Sequence, residues 1–290
     1  GKRSFKALHV EKLPLHSYGL MLAIAFLGGI GLAQKRAPLE GIATRDIAHL
    51  SIGLIVAALV GSRLFYLVFE VPPQSIMDVL AVWNGGLVIY GGIICATGTV
   101  WYMMYRKRMP VGRTFDVFAA PLALGIFFGR IGCFLAGCCY GNATDGSCGL
   151  AFPDKAPVYK KLHAIVTQSN EMPASFARIP DSFVPDLASG KYAGVTVHPT
   201  QLYESFSMLV CFALVMLLYK KKRFNGEAFL WVLGFYAVVR FLIETVRIDT
   251  PHNLFLGTFS LSQSISLIGF PIIVAAIIIG RARAQRHIKS

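Results

Sequence analysis

Several ionisable side chains lie inside stretches that are otherwise apolar: Arg63, Arg130, Glu204, Arg240 and Glu244, joined by the phenols Tyr18 and Tyr90. A charge in the middle of a bilayer costs about 2.5–3.5 kcal/mol on insertion scales, so each of these marks a place where pairing or function must offset that cost. At 1.5 Å per residue, Arg130 falls roughly 21 Å from Asp116 and Arg240 roughly 20 Å from Glu227. On the same count Tyr18, Tyr90, Glu204 and Arg63 lie about 24–26 Å from Lys35, Arg106, Lys220 and Asp46. Polar groups on six apolar runs thus share one depth, which predicts a polar cavity open toward one leaflet. Arg240, Glu244 and Arg247 recur at i, i+4 and i+7, which stacks them on one helix face. A guanidinium presents a planar fork suited to phosphate, and two arginines from different helices can bracket one phosphodiester. Interhelical ion pairs that merely fix packing are the plainer reading, and Arg63 near an outer end could simply snorkel.

Four of the six cysteines cluster at Cys133, Cys138, Cys139 and Cys148. Metal binding is disfavoured by the spacing, because there is no pair of C-x₂-C units and adjacent cysteines chelate one ion awkwardly. A disulfide from Cys148 to Cys138 or Cys139 fits an oxidising outer face, and plain packing of small apolar side chains accounts for the rest. Cys95 and Cys211 stand alone in apolar runs and read as core. His198 precedes Pro199, which suits a first helical turn, so an interfacial capping role is favoured over a proton shuttle. His9, His49, His163, His252 and His287 form no spaced cluster. Trp83, Tyr18 and Tyr203 near the ends of apolar runs also fit an aromatic belt. No metal and no soluble cofactor are implied.

The elements that must hold these groups follow from composition. With 55% apolar and 15% charged residues and a mean hydropathy of +0.58, the chain is far poorer in charge than a soluble domain, where roughly 25% is usual. That excludes a soluble or disordered protein, and the net charge of +13 is not a nucleic-acid signal until the membrane has been placed. Seven apolar stretches, at about 17–34, 47–69, 84–105, 115–138, 200–219, 227–246 and 258–280, predict an all-α integral membrane protein with seven transmembrane helices. The fifth and sixth are the shortest. Lys35, Arg36 and Arg45, then Arg106, Lys107, Arg108 and Arg113, then Lys220 to Arg223, then Arg281, Arg283, Arg286 and Lys289 place fifteen of the 28 basic residues in alternate loops. The positive-inside rule puts those loops in the cytoplasm, the N-terminus outside and the C-terminus inside. Lys2, Arg3, Lys6 and Lys12 run against that rule and suit an interfacial arm along anionic headgroups. No cleavable signal is read at the start of the chain. Residues 142–197 form the one long polar insertion, an extracytoplasmic head between the fourth and fifth spans, within a single transmembrane domain over 1–290. No internal repeat is visible, so doubled transporter architectures gain little support.

The run Gly129-Arg130-Ile131-Gly132-Cys133-Phe134-Leu135-Ala136-Gly137, continuing to Tyr140-Gly141, resembles the signature of bacterial prolipoprotein diacylglyceryl transferases, and the likeness extends along nearly the whole chain. His16-Ser17-Tyr18-Gly19-Leu20-Met21 is similar to the family's first-helix motif and Gly61-Ser62-Arg63 to its second-helix pair. His198-Pro199-Thr200-Gln201-Leu202-Tyr203-Glu204 resembles the motif opening the fifth helix, and Arg240 with Glu244 and Arg247 the sixth. The resemblance implies transfer of the diacylglyceryl group of phosphatidylglycerol to the lipobox cysteine of a preprolipoprotein signal peptide in the bacterial plasma membrane, releasing glycerol phosphate. It implies no cofactor and no nucleic-acid partner. Tyr18, Arg130, Gly141, Arg240 and Glu244 match its catalytic positions. Arg63, Tyr90, Cys133, Cys138, His198, Gln201, Glu204 and Arg247 fall where substrate would be lined or held. The chain departs from the pattern where family members carry asparagine at Cys133 and Ala136, glutamate at Cys138 and histidine at Tyr90. The histidine base is therefore not available here, and Glu204 and Glu244 are left either as orienters of arginine or as bases. A cysteine nucleophile is disfavoured, since an S-diacylglyceryl enzyme would be a thioether with a poor leaving group. Two other readings stay open: a relative that modifies another acceptor with an anionic phospholipid, and a non-catalytic lipid-binding or transport protein.

Overall fold

The computed structural model describes residues 17–70, 86, 88–153, 156–167, 179–192, 194–247 and 259–289. The basic residues of the N-terminal arm, His9, His16, Trp83, His252 and the first residues of the third and seventh predicted spans lie outside the described residues. Seven helices of 18 residues or more are present among the described residues: α1 (Ser17–Arg36), α2 (Thr44–Phe69), α3 (Ile89–Arg106), α4 (Val111–Ala136), α7 (Thr200–Leu218), α8 (Glu227–Glu244) and α9 (Leu261–Lys289). Two shorter helices, α5 (Pro157–Thr167) and α6 (Val184–Ala188), belong to the insertion between α4 and α7. Among the described residues the only strand-like pairing is three isolated bridges. The all-helical expectation holds.

Among the described residues five helices are long and apolar enough to cross a membrane: α1, α2, α4, α7 and α9. The other two run 18 residues each, about 27 Å at 1.5 Å per residue, just short of a hydrocarbon core of roughly 30 Å. Greasy side chains face outward along these helices, as a lipid solvent allows: Leu27, Phe69, Leu217 and Ile278 are all exposed.

The chain divides into two compact units, Ile30–Phe118 on the one hand and Gly1–Gly29 with Ala119–Ser290 on the other. In the first, α2 packs on α3 so closely that a side chain at Gly61 would meet the Gly91 carbonyl and the Cys95 Cβ at 2.5 Å. Small residues permit such backbone contact where lipid gives no hydrophobic force to hold helices together. The loop ends of this unit close over an apolar cluster of Ala33, Ile47, Leu50, Met104 and Val117, with Lys107 paired to Asp46 beside it.

In the second unit α8 packs against both α7 and α9. The insertion has a core of its own, formed by Tyr140, Val158, Tyr159, Leu162, Leu187 and Val197. Tyr159 stacks on Tyr192 with centroids 5.1 Å apart and accepts the Phe152 amide at 2.9 Å, so its buried hydroxyl is satisfied. Backbone hydrogen bonds then lace the insertion to the helix ends. Gly141 N–H donates to the His198 carbonyl at 2.9 Å, Asn142 N–H to Val246 at 2.7 Å and His198 N–H to Asn142 at 3.0 Å. The end of α4, the start of α7 and the end of α8 are pinned at one place. Gly141 is the pinch point: an added Cβ would meet the Val246 carbonyl at 2.7 Å and His198 Cβ and Thr200 Cγ2 at 2.8 Å. The sixth predicted span, 227–246, overruns the helix by two residues, because α8 stops at Glu244 and Arg247 turns instead into a bridge with Gly141.

Candidate active site

Glu204 is the hub. It sits one turn into α7, 1% exposed, with one oxygen 2.9 Å from Arg130 Nη2 of α4 and the other 3.7 Å from Arg240 Nη1 of α8. Arg240 Nη2 reaches Glu244 at 2.9 Å, the i,i+4 pair expected on one helix face. Glu244 is fully buried and accepts the Ser260 hydroxyl at 3.0 Å on its second oxygen. Arg240 also donates to Ser262 Oγ at 3.2 Å, and the Tyr236 hydroxyl, one turn earlier on α8, lies within hydrogen-bonding reach of Arg130. Buried carboxylates need such company, since an unpaired one costs several kcal/mol to desolvate.

Two arginines thus share two carboxylates, which balances their charge but not their hydrogen bonds. Arg240 Nη1 is buried and makes no hydrogen bond, and so is Gln201 Oε1. A preorganised site with a spare guanidinium donor is suited to an acceptor oxygen such as that of a phosphodiester.

Tyr18 packs beside Gly132, where an added Cβ would meet its ring at 3.0 Å, and lies close enough to Arg130, Cys133, Cys138 and Cys139 to sense their charge. Tyr18, Arg130, Glu204, Arg240 and Glu244, expected at a common depth or on one face, therefore do converge. Gln201 Nε2 donates to the Cys138 carbonyl at 2.6 Å, and Thr200 Oγ1 to the Cys139 carbonyl at 2.9 Å, so the turn after α4 is clamped by α7. Arg63 and Tyr90 belong to the other unit. Arg63 is 8% exposed; it donates to the Gly86 carbonyl at 3.0 Å and lies over the Tyr66 ring, so it is held within its own unit instead of snorkelling. Tyr90 is exposed on the first turn of α3.

Three expectations are corrected. All six cysteines are free thiols, so the Cys148 bridge is not formed; Cys148 stands exposed on the Gly146–Gly149 turn. Instead the sulfurs of Cys133, Cys138 and Cys139 gather within 4.8 Å of one another, and hydrogen bonds from Cys133 and Cys138, helped by Arg247 and Arg130, hold the Cys139 thiol well below its ordinary pKa. The His198 ring does not cap α7, whose N-cap is Pro199 with no side-chain hydrogen bond; it sits 3.3 Å from the Tyr203 hydroxyl, while the His198 carbonyl anchors Gly141. Arg247 lies beyond the end of α8 and so does not continue the helix face of Arg240 and Glu244. Sequence reasoning missed Tyr236, Ser260, Ser262 and Cys139 as members of the site. Tyr236 carried a signal at i−4 from Arg240, and Cys139 one in the cysteine cluster.

A family model described as prolipoprotein diacylglyceryl transferase matches residues 6–279 of the chain. A phosphatidylglycerol–prolipoprotein diacylglyceryl transferase of Finegoldia magna is 28% identical over 276 residues, covering 94% of this chain and 93% of its own length. The protein of that name from Clostridium tetani is 30% identical over 279 residues, covering 95% and 96%, and that of Trichormus variabilis 30% over 279 residues, covering 93% and 87%.

Proposed function

Because the chain belongs to the prolipoprotein diacylglyceryl transferase family, we propose that it moves the diacylglyceryl group of phosphatidylglycerol onto the lipobox cysteine thiol of a preprolipoprotein, releasing glycerol phosphate. The sulfur forms a bond to the glycerol carbon that carries the phosphate, the carbon–oxygen bond breaks, and its electron pair leaves on the phosphate oxygen. The observation that carries this reading is the convergence of Arg130 and Arg240 on Glu204 together with the buried, hydrogen-bond-free Nη1 of Arg240.

Each residue has a task in that step. Arg130 and Arg240 receive the phosphodiester and neutralise the charge that grows on it as the bond to carbon breaks. Glu204 and Glu244 spend their oxygens on arginine and serine, which makes them orienters. Tyr18 donates to a phosphate oxygen or turns the glycerol. Gly141 lets three chain segments meet so that the arginines from α4 and α8 stay in register.

The chain crosses the bacterial plasma membrane seven times, with α3 and α8 as the two short spans. The basic loops after α1, α3, α7 and α9 lie in the cytoplasm, and the insertion at 142–197 stands outside, where a secreted acceptor arrives. The support is the alternation of basic loops along seven long helices. The test is incubation of the full chain in nanodiscs with phosphatidylglycerol and a lipobox peptide, read by mass spectrometry. A diacylglyceryl mass gain that requires the peptide cysteine is expected. No gain, beside a family enzyme with the usual asparagine, glutamate and histidine that works, would overturn this acceptor.

A further inference from the structure

Thiol alkylation requires a thiolate, and the two carboxylates of the site are engaged with arginine. The three cysteines stand where that requirement arises. Cys133 follows Arg130 by three residues on the last turns of α4, on the same face. The helix then ends in a left-handed residue, Gly137 at φ 68°, and the Cys138 amide returns to the Cys133 carbonyl at 3.1 Å. Cys139 is left-handed as well, φ 61°. A non-glycine residue held there costs about 1–2 kcal/mol, and such strain persists only where the surroundings enforce it. Here Thr200 and Gln201 enforce it through the two carbonyls.

This backbone removes the objection to adjacent cysteines. In an extended chain neighbouring side chains diverge, whereas the left-handed turn at Cys139 brings its sulfur to the side of Cys138 and Cys133. The three sulfurs lie within 4.8 Å of one another. In a tetrahedral zinc site with bonds of about 2.3 Å the sulfurs are about 3.8 Å apart, so closure by about 1 Å suffices. All three cysteines are partly exposed, which leaves room for a fourth ligand.

We propose that Cys133, Cys138 and Cys139 bind one thiophilic divalent cation of the zinc type, whose fourth position takes the acceptor's cysteine as a metal-bound thiolate. The inference rests on the transferase reading under Proposed function. Three protein ligands and one open position make the architecture of a catalytic zinc site. Three thiolates on a dication carry one net negative charge, and Arg247 and Arg130 lie close enough to Cys139 to act on it. Coordination deprotonates the incoming thiol. Its sulfur attacks the glycerol carbon, the carbon–oxygen bond breaks, and the proton released on coordination is taken up by the departing glycerol phosphate. The thioether product is neutral, a weaker ligand, and leaves the metal. The cation thus does the work of the absent histidine.

The test uses the full, reduced chain in nanodiscs loaded with zinc or with cobalt(II). One ion per chain is expected, with the cobalt–thiolate charge-transfer absorption, and that absorption shifts on adding a lipobox peptide but not its Cys→Ser form. Cys133→Ser and Cys139→Ser lose the absorption and Cys148→Ser keeps it. Removing the metal from the unmutated protein lowers peptide modification on the order of 100-fold, the scale of losing an activated nucleophile, and zinc restores it. Full modification by metal-free protein overturns the proposal and leaves the transferase standing. Cobalt binding with the peptide-dependent shift but no mass gain supports the site and removes the transferase reading. A reduced protein that takes no cobalt onto sulfur overturns the proposal outright.

Discussion

The helix α8 carries a buried ionic cluster at each end, and the two differ in kind. At its start Glu227 is fully buried, accepts the Arg223 amide and Arg281 Nε at 2.5 Å each, and makes one ion pair with Arg281. One carboxylate meets one guanidinium, and Arg281 is 40% exposed. At the other end, roughly 20 Å along the axis, two arginines share two carboxylates and a buried guanidinium nitrogen makes no hydrogen bond. The first cluster is a closed lock that fastens α9 to α8. The second is held open, with a buried donor left over for a ligand. Ion pairs of similar chemistry thus do structural work when every polar atom is satisfied and binding work when a donor is left over.

Substitutions at the two ends should separate these roles. Arg130→Ala and Arg240→Ala should each lower the rate of peptide modification on the order of 100- to 1000-fold, the scale of losing one preorganised donor to a developing anion, with unchanged helicity by circular dichroism. Unaltered rates in either would remove the phosphate clamp and with it the contrast. Glu204→Gln leaves both arginines without their common anchor, and since displacement by about 1 Å can cost on the order of 100-fold, a loss approaching that size is expected in the same assay. Gly141→Ala forces a Cβ against the Val246 carbonyl; it should lower unfolding stability by about 1–3 kcal/mol and reduce activity with it, measured by thermal melts beside the mass assay. Glu227→Gln is the smallest change: a stability loss of about 1–2 kcal/mol, at the low end for a charged hydrogen bond because Arg281 is partly exposed, and an unchanged modification rate. A rate that fell with Glu227 would mean that the two ends are not independent.

Much of the arginine cluster is legible from side-chain types and their spacing. Arg130, Glu204 and Arg240 stand out by their depth in apolar runs, because hydrocarbon makes every intramembrane charge costly and therefore conspicuous. The i,i+4 spacing of Arg240 and Glu244 names its own pair. Arg247 misleads because the periodicity continues past the residue where the helix stops, and the stop at Glu244 is set by backbone bonds from residues more than a hundred positions earlier, Gly141 and Asn142. Ser260 and Ser262 carry no signal, since a serine at the mouth of an apolar run looks the same whether or not it meets a buried glutamate.

Hydropathy, charge placement and motif spacing are local properties. They suffice to specify a bundle of apolar helices with a polar insertion, the family the chain joins, and the charges that have to find partners. That Glu204 joins Arg130 to Arg240, that Cys148 stays apart, and that three thiols meet are settled by the folded chain alone. The meeting of the thiols depends on one left-handed residue at Cys139 and on clamps from a helix about sixty residues away, and neither a backbone dihedral nor a long-range hydrogen bond is written in the pattern of side-chain types.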